Sequence, residues 1–225
     1  MATRVYFPDG VAGDVTPPAP VGGATWEHIQ TSVNKLLNGP DASALSTAAY
    51  TPDAADDLTN RDSHHRQYVS RPLAAQTLSG NVTAQFQCSE TFNNDNLFLT
   101  LKILVCNNSG STTQATLLAI TRDTVTELRT ALTNQTFPST ALSSFACAAG
   151  DRLVIEIGAG GNITSGTGGV IGHNASIRWG CSASSGDLPV DTSTTATTWR
   201  PWLEFSNNFT FQVPPPPLMA PLISG

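Results

Sequence analysis

The side chains that could do chemistry are few and scattered. Asp56, Asp57, Asp62, His64 and His65 form the one dense group of potential ligands, and Asp and His together can hold a divalent metal. Neighbouring histidines on an extended chain point to opposite sides, however, and Asp-rich segments carry turn hydrogen bonds in any case, so loop chemistry is the first reading of this stretch. Nucleophilic catalysis would draw on His28, His64, His65 or His173, yet no Gly-x-Ser-x-Gly elbow accompanies them. Glu156 and Glu204 could act as paired carboxylates only if two separate strands brought them together. The stretch from Gly158 to Gly169 is rich in glycine but lacks both the Lys-Ser/Thr of a phosphate loop and the Gly-x-Gly-x-x-Gly spacing, so it reads as a loop between strands. Trp26, Trp179, Trp199 and Trp202 could form a sugar-stacking platform, although core packing is the commoner fate of tryptophan in a β-sandwich. Catalytic, cofactor and metal sites are therefore not assigned.

The elements that would position these groups are strands. The 225 residues suffice for one core of good size, and only 12% of them are charged. Threonine enrichment, with 18 Gly and 15 Pro, favours strands and turns over a helical bundle. Val82, Ala84, Phe86 and Cys88 alternate with polar residues. The stretch from Asn96 to Cys106 is apolar on nearly both faces and turns through Asn107-Asn108-Ser109-Gly110 into a partner at 113–121. In Arg152-Leu153-Val154-Ile155-Glu156-Ile157 the pattern places Leu153, Ile155 and Ile157 inward, with Arg152 and Glu156 on the outer face. Further strands are expected at 3–7, 66–70, 137–147, 175–183 and 199–211. Trp26, Ile29, Val33, Leu36 and Leu37 recur near helical spacing behind Thr25, so a short helix competes there with irregular extended chain. Residues 41–63 read as loop.

These elements predict an all-β fold, an antiparallel jelly-roll-like β-sandwich over 25–212. An N-terminal strand with an extended arm (1–24) precedes it and a proline-rich tail (213–225) follows it.

Seventeen acidic against eleven basic residues, a net charge of −6, argue against direct binding to nucleic acid or to an anionic membrane. No apolar run reaches the roughly 20 residues that span a bilayer. Cys88, Cys106, Cys147 and Cys181 are too far apart for a zinc knuckle or a redox Cys-x-x-Cys, and read as buried thiols. The N-terminus lacks the basic and apolar regions of a secretory signal, so synthesis in a cytosol is expected, and the six Asn-x-Ser/Thr triplets are read as composition.

Thr59-Asn60-Arg61-Asp62 through Arg66-Gln67-Tyr68-Val69-Ser70-Arg71-Pro72-Leu73, continuing to Ala149-Gly150-Asp151-Arg152-Leu153-Val154-Ile155-Glu156-Ile157-Gly158, resembles virion proteins of tailed bacteriophages over about residues 55–210. The resemblance implies a structural protein located in the virion and made in the bacterial host cytoplasm, and carries over no catalytic residue. A non-enzymatic capsid decoration or cement protein is the first expectation. It would bind the major capsid protein or other virion proteins on the head exterior, stabilise contacts between capsomers and form a homo-oligomer. Its attachment points would be the two proline-rich ends, with Pro17, Pro18 and Pro20 in the arm and Pro214, Pro215, Leu218, Met219 and Leu222 in the tail. The alternative is a tail, neck or fibre module that recognises host carbohydrate through tryptophans near the 158–172 and 184–198 loops. An enzyme would require convergent ionisable groups in a cleft.

Overall fold

The computed structural model describes residues 2–20, 26, 28–29, 34–37, 46–50, 61–93, 96–161, 175–181, 186–195 and 198–212. Strands and no helix occur among them, and most of the strands pair antiparallel. The first sheet is built on β7 (Asn81–Glu90). β10 (Thr133–Ala141) runs along one of its edges, and β14 (Trp202–Phe205) and β13 (Ala175–Trp179) share the other. β1 (Thr3–Tyr6) adds to β14, and β4 (Ser46–Tyr50) adds to β13.

The second sheet has β12 (Arg152–Gly161) at its centre, between β5 (Arg61–Val69) and β8 (Leu97–Cys106). β9 (Thr113–Arg122) forms one edge. Two short strands, β2 (His28–Ile29) and β3 (Asn34–Leu36), pair parallel with β5 at the other. β6 (Gln76–Leu78) and β11 (Phe145–Cys147) make a separate two-stranded ribbon.

The two large sheets share one core. Val82, Ala84 and Phe86 of β7 alternate inward, as do Leu153, Ile155 and Ile157 of β12. Phe7 joins the layers, with its ring 5.0 Å from Tyr68 and 4.8 Å from Phe86. Each such fully buried apolar side chain contributes about 1.5–3 kcal/mol relative to exposure.

Exposed sheet edges invite pairing with other chains, and bulges or prolines blunt them. On β9 the pairing with β8 slips three times, each slip adding a residue to the edge strand. β10 carries Pro138 inside its own slip between Phe137 and Thr140.

The structure departs from the sequence expectations at several places. Among the described residues of 25–37 there is no helix: Trp26 is buried, and β2 and β3 extend along β5. Residues 46–50 form β4 inside the stretch expected to be loop, and β5 begins at Arg61 rather than at residue 66. Gly158–Gly161 continue β12 instead of starting a loop. A Cβ at Gly158 would overlap the Ser63 carbonyl oxygen, so glycine lets β5 and β12 approach here. The stretch 125–132, whose sequence suits a short strand or a turn of helix, is neither. It crosses between the sheets with Leu128 in the core, and the Asp123 carboxylate caps the turn by accepting from the amides of Val125 and Thr126.

Candidate functional site

Because Leu153, Ile155 and Ile157 face the core, Arg152, Val154, Glu156 and Gly158 face away from it on the other side of β12. That side is not open to solvent. Residues 14–18 lie across it, and the stretch that leads to them from residue 9 is tied down at intervals along its length. Asp9 pairs with Arg66, the Leu36 amide donates to the Val11 carbonyl at 3.0 Å, and Arg152 Nη1 donates to Asp14 Oδ1 at 2.8 Å. Val15 packs on Val69, Leu104, Cys106 and Val154, and Gln67 Nε2 donates to the Pro18 carbonyl at 2.9 Å. Gly110, at φ +79°, turns β8 into β9 and leaves space for the arm: a Cβ there would lie 3.0 Å from the Thr16 carbonyl oxygen.

Beneath this cover lies a row of polar side chains in cross-strand register. Glu156 pairs with Gln67 on β5 and with Lys102 on β8. Its Oε1 accepts from Gln67 Nε2 at 3.1 Å, and its Oε2 accepts from Trp26 Nε1 at 2.6 Å and lies 3.4 Å from Lys102 Nζ. Glu156, Gln67, Lys102 and Trp26 are all buried. A carboxylate taken out of water requires such partners, since an unpaired buried charge is strongly unfavourable.

The outer face of the first sheet is covered in the same way by residues 186–195 and 198–200. Asn134 Nδ2 donates to the Pro189 carbonyl at 3.0 Å, the Asn134 amide donates to the Thr194 carbonyl at 2.9 Å, and Trp202 Nε1 donates to the Leu188 carbonyl at 2.7 Å. At the rim of this cover a half-buried ionic group assembles. Arg4 lies over the Trp202 ring at 4.0 Å and donates to Glu204 through Nε at 3.0 Å and through Nη2 at 2.8 Å. Its Nη1 donates to Asp187 Oδ2 at 2.8 Å, and that oxygen also accepts from the Tyr6 hydroxyl at 3.0 Å. Burial, followed by the hydrogen bond to Asp187, raises the Tyr6 hydroxyl above its ordinary pKa. Trp199, 36% exposed, and Val190, 71% exposed, are the large apolar side chains that this segment leaves outside.

No protein-family model matches the chain. No curated protein sequence matches it either. Among solved structures it is similar to a CocE/NonD family hydrolase from Staphylococcus aureus, at 11% identity and a TM-score of 0.45, over 93% of this chain and 36% of that one. It is also similar to an aminopeptidase from a marine sediment archaeon, Thaumarchaeota archaeon, at 11% identity and a TM-score of 0.49, over 91% of this chain and 36% of that one. The chain thus spans 36% of the length of either protein, and these likenesses carry no activity and no residue roles to it.

The structure separates most of the residues that the sequence singled out. Asp62 Oδ1 accepts from Arg122 Nε at 2.6 Å, His64 stands edge-on to Trp26 at 5.5 Å, and Asp56 and Asp57 lie outside the described residues. Among the described residues no three or more His, Cys, Asp or Glu are grouped to hold a metal ion. Glu156 and Glu204 belong to different sheets. Trp26, Trp179 and Trp202 are buried, which leaves Trp199 alone of the four at the surface.

The arm expected to reach neighbouring subunits lies on its own sheet. Pro17 and Pro20 are buried, and the carbonyl of half-buried Pro18 is taken by Gln67. The outer face of β12 carries Val154 and Glu156, which this stretch shelters. Pro214, Pro215, Leu218, Met219 and Leu222 lie outside the described residues.

Sequence reasoning did not single out Lys102, Gln67, Asp9, Asp14, Arg4 or Asp187. A signal was present for Lys102. A lone charge within Leu99-Thr100-Leu101-Lys102-Ile103-Leu104, opposite the lone Glu156 of another apolar run, marks a buried ion pair.

Proposed function

We propose that the chain is a non-enzymatic structural protein of a tailed-phage virion, a capsid decoration or cement protein that binds the head exterior and stabilises contacts between capsomers. The strand orders β4-β13-β7-β10 and β5-β12-β8-β9 support a jelly-roll topology, because the chain changes sheet at β4 to β5, β7 to β8, β9 to β10 and β12 to β13. Capsid proteins and lectins both use that architecture.

The observation that carries the structural reading is where the ionisable side chains are spent. Arg4, Arg66, Lys102, Arg122 and Arg152 each pair with a carboxylate distant in sequence: Arg66 and Arg152 pin the arm, Arg4 holds Asp187 of the covering segment, and Lys102 and Arg122 tie strands of the second sheet to one another. Attachment then falls to the tail. Its stem is fixed, since the Gln212 amide donates to the Pro72 carbonyl at 2.8 Å, and 213–225 supplies Pro214, Pro215, Leu218, Met219 and Leu222 as anchors toward the major capsid protein or a second copy.

Deleting 213–225 tests this. Head binding is expected to fall while the melting temperature of the body stays within about 1 °C, as for a surface change. A truncated chain that still coats heads at full occupancy counts against the reading.

Exposed Trp199 favours a second reading, a fibre or tail module that stacks host carbohydrate on that ring. Trp199→Ala should then abolish binding on a glycan array. Trp202→Ala is not an equivalent test, because Trp202 belongs to the buried body.

A further inference from the structure

Glu90 closes β7 and Leu97 opens β8, so the turn between them stands at one end of the sandwich. The stretch that crosses from β9 to β10 stands at the same end. Its Asp123 amide donates to the Leu99 carbonyl at 2.8 Å, and its Leu128 amide to the Leu97 carbonyl at 2.8 Å. The two segments are tied together, since the Glu90 amide donates to the Arg129 carbonyl at 2.8 Å. Each presents a large apolar side chain to solvent, Phe92 at 47% exposure and Val125 at 81%. A single exposed apolar residue is ordinary, but two on joined segments give this end of the body an apolar character.

The chain leaves the body at the other end. The Gln212 amide is held by the Pro72 carbonyl, and the adjacent Leu73 amide donates to the Asp151 carbonyl at 2.7 Å. Asp151 precedes Arg152, the register partner of Cys106 at the far end of β8. Leu97 and Cys106, and with them the two ends, are about 30 Å apart along the strand. Beyond Gln212 come four consecutive prolines, 214–217, which favour an extended polyproline path. At roughly 3.1 Å per residue Leu218 and Met219 stand about 19–22 Å from Gln212, short of the Phe92 and Val125 of their own chain. A copy stacked end to end brings its Phe92 and Val125 next to the point where the tail leaves. Residues 213–225 contain no charged side chain, which suits an apolar acceptor.

We infer that copies of this chain join head to tail, with Leu218, Met219 and Leu222 of one copy seated on the Phe92 and Val125 end of the next. This rests on reading 213–225 as the attachment segment, and it names a second copy as what that segment grips. Donor and acceptor lie at opposite ends of the body, so the contact is heterologous, and its repetition gives a closed ring or a filament. The proline run keeps the ordering cost low, because a polyproline segment is extended before it binds.

Sedimentation velocity on the full chain over a range of concentrations tests the inference. Wild type is expected to self-associate as concentration rises. Val125→Asp places a charge on the acceptor, and the double variant Leu218→Asp, Leu222→Asp places charges on the donor. Each should weaken association about tenfold or more, with the melting temperature unchanged as for surface substitutions. Mixed in equal amounts, the two variant chains should form a dimer and stop there, since one keeps an intact tail and the other an intact acceptor. A wild-type chain that stays monomeric up to about 1 mM overturns the inference, as does association that Val125→Asp leaves untouched or a mixture that does not dimerise. Head binding that needs the tail, in a chain that remains monomeric, would remove this inference and leave the attachment reading standing. Self-association through the tail, with head binding that survives its deletion, would do the reverse.

Discussion

The indole nitrogen of Trp26 donates to Glu156 Oε2 at 2.6 Å, so a residue outside any strand holds a carboxylate at the centre of the second sheet. Trp26→Phe keeps a ring in the site and removes the donor. A hydrogen bond to a buried charge contributes about 1.5–3 kcal/mol, and a loss of that size is expected in the unfolding free energy, read as a lower urea midpoint with an unchanged slope. A midpoint equal to wild type would show that the bond contributes nothing to stability.

Gly158 is required where β5 closes on β12. Gly158→Ala drives a methyl group into the Ser63 carbonyl and toward the Trp26 ring. Overpacking of this kind costs about 1–3 kcal/mol or more, a fall in melting temperature of several degrees for a chain of this size. Gly186→Ala is the control, because a Cβ at Gly186 meets nothing within 4 Å, and it should melt as wild type does. Equal melting of the two variants would contradict the close approach.

The arm is held partly by charge. Asp14→Asn weakens the pair with Arg152, whose guanidinium keeps its bonds to the carbonyls of Ser70 and Asn108. Asp14 is half exposed, so the cost should be small, about 0.5–1 kcal/mol. Amide exchange should accelerate in residues 11–16 and stay unchanged in β7, β8 and β12. Uniform acceleration throughout the chain would mean that the arm and the sheets open together.

Burial raises the Cys88 and Cys147 thiols above their ordinary value and pushes Cys106 up to about 11. A thiol that ionises later in the folded than in the unfolded chain stabilises the fold below the unfolded pKa, near 9.0, and loses that contribution as pH rises from there toward 11. Stability should therefore decline over this alkaline window. At pH 8 the native chain should resist alkylation at these three positions and react at all of them in urea. Rapid native labelling would place the thiols nearer the surface than they stand here.

Some of this architecture is written in local pattern. The alternation in 81–89 and in 152–157 specified strands and told which side chains face the core, and Leu153, Ile155 and Ile157 are indeed inward. Pairing of the turn at 107–110 with strands on both sides was equally local. The same pattern placed Arg152 and Glu156 on the opposite face, but it could not say that this face would be roofed, because the roof comes from Asp14, Val15, Pro18 and Trp26, more than a hundred positions away.

Proline and glycine in 8–24 forbade helix and sheet, and a stretch without regular structure looks the same in sequence whether it reaches outward or lies down on its own body. The sequence by itself determined the all-β character, the core faces of the strands at 81–89 and 152–157 and the buried state of the cysteines, because side-chain period and residue type are properties of neighbours along the chain. Only the tertiary structure decided that the arm covers β12, that Asp62 pairs with Arg122, and that Gln67, Glu156 and Lys102 share one row. Those outcomes depend on which charges and apolar patches meet across sheets, and strand register, a long-range property, sets every one of them.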